Sequence, residues 1–103
     1  MPIQEFDEQL RFAIQNKRLI KIRYQGRERV AEPHDYGVQR GTERLLVYQQ
    51  SGPMRPNQSA TGWRLLDLPK IESLKILDDT FRGSRGSSHQ NHQAWDVVYA
   101  RVG

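Results

Sequence analysis

The chain has 103 residues, 16 basic against 12 acidic side chains, a formal net charge of +4 and a pI near 9.8. Only 36% of its residues are hydrophobic and its mean hydropathy is −0.82, which bounds it to one domain with a small core. The absence of cysteine excludes disulfides, thiolate metal sites and cysteine nucleophiles.

Residues 1–5 lack a basic region followed by an apolar run, and no apolar stretch is long enough to cross a bilayer. The expectation is therefore a cytoplasmic protein with no membrane partner. The basic balance permits nucleic acid or another anionic partner without requiring one.

Residues 3–16 are expected to be helical. Ile3, Phe6, Leu10, Ala13 and Ile14 recur at helical spacing and form one apolar stripe. Pro2 suits the first turn, and Glu5, Asp7 and Glu8 suit the positive end of the helix dipole. From Leu19 the period changes to two: Ile20, Ile22 and Tyr24 alternate with Lys21 and Arg23, as in a half-buried strand.

Gln25-Gly26 is a turn, and Arg27 to Glu32 is the returning strand, which Pro33 is expected to end. Arg40-Gly41-Thr42 is a tight hairpin turn, with Gly41 free to take positive φ. Leu45-Leu46-Val47-Tyr48 is the clearest strand, suited to burial on both faces.

Residues 51–61 form a surface loop, Trp63 to Leu68 a further strand, Pro69-Lys70-Ile71 a short turn, and Ser73 to Leu77 a strand. One helix followed by about five short strands points to a mainly β chain folded as a small, partly open barrel. This domain is expected over residues 1–81. Residues 82–103 are read as a flexible tail with an edge strand at 96–100, docked on this molecule or on a neighbour.

No catalytic signature appears, neither a phosphate-binding glycine loop nor a nucleophile elbow nor a carboxylate pair. His89 and His92 are three apart, but a metal site needs more ligands, so no metal or cofactor is expected.

Three stretches stand together: residues 29–37, Leu45-Leu46-Val47-Tyr48, and residues 64–71. Tyr24 ends the first strand, Arg29 stands four before Pro33, and Arg64 leads into an apolar strand closed by Lys70-Ile71. This ordered set resembles the WYL domain family of bacterial regulators. At the family's name-giving Trp-Tyr-Leu strand this chain has Glu43-Arg44-Leu45, so only the leucine matches, while Tyr48 fits the tyrosine that usually follows. The resemblance covers residues 19–78. It implies an Sm-like, SH3-like β-barrel that senses a ligand, often proposed to be a nucleic acid or nucleotide.

The expected ligand-binding residues are Arg29, His34, Tyr36, Trp63 and Arg64. Two guanidinium groups converging on one face suit a phosphate or carboxylate, while the bland reading pairs them with Glu28, Glu32 or Asp67. His34 and Tyr36 are expected in a segment that leaves the sheet, lining a pocket or filling the core. Trp63 either walls the site or packs inside. Tyr24 and Tyr48 belong to the core or the pocket wall, and Arg55 adds positive charge.

The expected function is non-enzymatic recognition of an anionic small molecule or single-stranded nucleic acid. The alternative is a protein-interaction module or an oligomerising subunit.

Overall fold

The computed structural model describes residues 6–52, 61–85 and 95–103. Within the helical stripe, the helix α1 covers Asp7–Gln15 and buries Leu10, Ala13 and Ile14; Ile3 lies outside the described residues. Asp7 and Glu8 stand in its first turn, where the helix dipole favours negative charge.

Among the described residues six strands follow: β1 (Arg18–Tyr24), β2 (Arg27–Gln39), β3 (Thr42–Ser51), β4 (Gly62–Asp67), β5 (Ile71–Thr80) and β6 (Val97–Arg101). The two tight hairpins form where expected. Gln25-Gly26 and Arg40-Gly41 each place two successive residues at positive φ, the geometry whose twist matches flanking strands.

All the strand pairs are antiparallel, and the sheet runs β4-β3-β2-β1-β5, with β6 added on β2. The expectation of about five strands in a barrel is thus corrected in part. The described residues are mainly β behind one helix, and their six strands form one sheet that is not closed into a barrel. The sixth strand comes from the tail, which pairs with β2 of its own chain through Asp35↔Arg101 to Val38↔Val97. The linker expected between Arg82 and Gln93 falls largely outside the described residues.

Strand β2 also corrects the reading of Pro33. It runs through the proline to Gln39, carrying His34 and Tyr36 within the sheet. On one side β3 pairs with it from Val30 to Gln39, with register shifts between Val30 and Ala31 and between Pro33 and Asp35. On the other side β1 ends its pairing at Ala31 and β6 begins at Asp35. The residue with no amide donor therefore falls where that edge changes partner.

Register divides the side chains between two faces. Ile20, Ile22, Tyr24, Ala31, Tyr36, Leu45, Val47 and Leu66 join Leu10, Ala13 and Ile14 of α1 in the core, which defines the inner face of the sheet. Arg29 opposes Ile22, and Arg64 opposes Val47, so both belong to that inner face. Glu32 opposes Tyr48, which opposes Trp63, and these three share the outer face.

Gly37 permits the join between β2 and β6. A Cβ there would lie 2.0 Å from the Val97 carbonyl oxygen, a distance no side chain tolerates.

Candidate functional site

The five residues expected to share a site separate into three places. Arg29 and Arg64 are neighbours on the inner face. The Arg29 guanidinium lies 5.2 Å from the centre of the Tyr24 ring, and its Nη1 donates to Gln49 Oε1 at 3.0 Å. Among the described residues its buried Nε has no acceptor.

Burial holds the Arg29 pKa below the usual guanidinium range; the nearby Tyr24 opposes this, while the charge of Arg64 lowers it further. Arg64 Nη1 donates to the Trp63 carbonyl at 2.9 Å and passes Gly62, where a Cβ would stand 3.2 Å away. The acids named as alternative partners are engaged elsewhere. Glu28 faces Lys21, Glu32 faces Arg85, and Asp67 faces Arg44 and Lys70.

Tyr36 is a core residue. It is fully buried, its hydroxyl donates to Asp7 Oδ1 at 2.7 Å, and its ring meets Tyr99 edge-on at 4.9 Å. Burial, then the bond to Asp7, pushes the phenol far above its ordinary range, so it stays a neutral donor. Its place is structural, joining the first turn of α1 to the sheet.

His34 and Trp63 meet on the outer face, ring centroids 4.8 Å apart, with Phe81 5.3 Å from His34 on another side. Next to them is a cluster that sequence reasoning missed. Glu32 is 3% exposed, and Arg85 grips it bidentately, Nε to Oε1 at 3.0 Å and Nη2 to Oε2 at 2.6 Å. Gln50 Nε2 donates to Oε2 at 2.9 Å, and the His34 ring nitrogen Nε2 lies 3.0 Å from Oε1.

Burial alone would raise the Glu32 pKa, but the donors Arg85, Gln50 and His34 and the charge of Arg85 outweigh it and hold the pKa below its ordinary value. An ionised Glu32 only accepts, so His34 Nε2 carries the proton in this bond. In return, the hydrogen bond to Glu32 raises the Arg85 pKa.

The Arg85 guanidinium also lies 3.5 Å from the centre of the Tyr48 ring, and Tyr48 meets Trp63 edge-on at 5.3 Å. A cavity of about 560 Å³ opens beside this cluster, lined by Glu32, Gln50 and residues 80–85. Glu32 and Arg85 are 53 residues apart, so no local pattern announces their pairing.

Among the described residues no group of three or more His, Asp or Glu is arranged to hold a metal ion. His89, His92 and Arg55 lie outside them. No helix among the described residues is long and apolar enough to cross a membrane. No family model, curated protein or solved structure matches this chain.

Proposed function

We propose that this chain is a non-enzymatic ligand-binding domain of WYL-like type, acting in the cytoplasm in a regulatory role. It recognises an anionic ligand, a nucleotide or single-stranded nucleic acid, through Arg29 and Arg64. The observation that carries this reading is the Arg29–Arg64 neighbourhood. Two guanidinium groups close enough for one to depress the other stand on one face, and among the described residues no carboxylate engages Arg29.

A half-buried cation without a counter-ion is costly, and an anion removes that cost. A phosphate matches the planar fork of each guanidinium. Tyr24, beside Arg29, offers a ring for a base to stack on.

The finer fold reading, an SH3-like, partly open barrel, has one further support. β4 and β5, at the two ends of the sheet, are joined only by the single 3-10 turn Leu68–Lys70, and the Tyr24 hydroxyl accepts from the Asp67 amide at 3.2 Å at that seam. Both features support a sheet that curls its ends toward each other.

Titration with nucleotides and short single-stranded oligonucleotides at low salt tests the function. Binding is expected, and the Arg29→Ala, Arg64→Ala double variant is expected to lose it. No binding at low salt, or binding unchanged in the double variant, refutes the nucleotide and nucleic-acid reading.

A second reading, an interaction module or oligomerising subunit, is favoured by Val97 and Val98, two consecutive apolar residues of β6 that are both exposed. Light scattering tests it: a mass above the monomer that falls in Val98→Lys supports it. Tail deletion is the poorer test, since it removes Val102 from the core.

A further inference from the structure

The outer-face cluster is built like a receptor with its ligand in place. Glu32 supplies a carboxylate that is almost entirely buried, Tyr48 supplies a ring face, and Gln50 orients one carboxylate oxygen. All three belong to β2 and β3, the strands at the centre of the sheet. Arg85, by contrast, follows β5 on a segment outside any helix or strand, and its side chain remains about one-third exposed. The framework is fixed by strand pairing, and the guanidinium is delivered from irregular chain.

The chemistry of the recess is specific. Two oxygens meet two N–H groups of one planar fork while the plane's face lies on a ring. An ammonium group satisfies the charge but neither the fork nor the stacking. The buried carboxylate needs a cation at all times, because leaving it bare is far costlier than exchanging one guanidinium for another. The adjoining cavity of about 560 Å³ borders both Glu32 and Arg85, which gives an incoming chain room beside the resident one.

We propose that Glu32, Tyr48 and Gln50 form an arginine-side-chain receptor for a partner polypeptide, and that Arg85 fills it in cis until the partner's arginine replaces it. The receptor lies on the face opposite Arg29 and Arg64 and stands or falls independently of the anion site.

The test uses the full chain and the peptide acetyl-Gly-Arg-Gly-amide, with acetyl-Gly-Lys-Gly-amide as its counterpart. Binding is read from the Trp63 indole N–H resonance, since Trp63 borders Tyr48. A tethered arginine competes at high effective concentration, so Arg85→Ala is expected to bind the arginine peptide at least roughly tenfold tighter than the unaltered chain. The lysine peptide is expected to bind Arg85→Ala at least roughly tenfold more weakly than the arginine peptide, and adding Glu32→Gln is expected to abolish binding.

No saturable binding to Arg85→Ala, equal binding of the lysine peptide, or binding that survives Glu32→Gln overturns the proposal. If Arg85→Ala does not fold, Arg85→Lys keeps the charge without the fork and is judged by the same criteria, with a smaller gain over the unaltered chain.

Discussion

Arg29 and Glu32 lie three residues apart on β2 and point to opposite faces of the sheet. One is a cation whose charged form burial disfavours, and the other is an anion held ionised by three donors. A single strand therefore presents two charged positions with opposite needs. Glu32 has its counter-ion from within the chain, in Arg85, while Arg29 has a neutral amide, a phenol ring and a second arginine. That asymmetry underlies both the proposed anion site on the inner face and the proposed arginine site on the outer face.

Acid should expose the role of Glu32. Its carboxyl has a folded pKa below the ordinary 4.5, so it contributes stability above that value and loses it as pH falls through the lower folded value. Urea unfolding near neutrality should show Glu32→Gln less stable by about 1.5–3 kcal/mol, the range for hydrogen bonds to a charged group. The difference should shrink steadily below about pH 4. Parallel acid profiles for the two proteins would show that Glu32 is not the titrating group.

Tyr36→Phe should cost about 1–2 kcal/mol, because the variant keeps the ring packing and loses only the bond to Asp7. Asp7 retains Arg11 at 3.0 Å, which limits the loss. Nucleotide affinity should not change. A folded Tyr36→Phe protein with weakened nucleotide binding would return Tyr36 to the ligand site.

How much of this was legible in the sequence follows from the range of each interaction. The stripe of Phe6, Leu10, Ala13 and Ile14, the period-two run of β1 and both glycine turns are local signals, and each element formed where its pattern stood. The ordered motif set names Arg29 and Arg64 together, and strand register places both on the inner face. Pro33 misled because its usual meaning, the end of pairing, assumes one neighbour along the whole edge; here β1 hands over to β6 at that point. The Glu32–Arg85 pair was invisible because its spacing is set by the path of the chain after β5, and no periodicity encodes that path.

Gly37→Ala should loosen β6 selectively. The added methyl group would meet the backbone of Val97, which cannot swing aside as a side chain can. The strand must shift, straining its anchors: Asp96 N–H to the Val38 carbonyl and the Arg40 amide to Asp96 Oδ2, both at 2.8 Å. A loss of about 1–3 kcal/mol is expected. Hydrogen exchange should quicken in residues 97–101 well before it quickens in β1 and β5. Unchanged protection of that strand would mean that Gly37 does not pack against the Val97 carbonyl.

Arg29→Met separates what the residue does for the fold from what it does for a ligand. A structural arginine in a satisfied ion pair would cost stability when replaced. Arg29 has one hydrogen bond to a neutral amide, an unmet buried Nε and a like charge nearby. Methionine keeps the unbranched stem over Tyr24 and removes the desolvated charge. Stability should therefore stay within about 1 kcal/mol of the unaltered chain, or rise, as when buried charges give way to apolar side chains of similar volume. Nucleotide affinity should fall about tenfold or more, and the salt dependence of oligonucleotide binding should lose about one unit of slope, the signature of one phosphate contact removed. Chemical denaturation and titrations at two salt concentrations read both quantities on the same variant. A large stability loss with unchanged affinity would make Arg29 a structural residue and remove the anion site from the inner face.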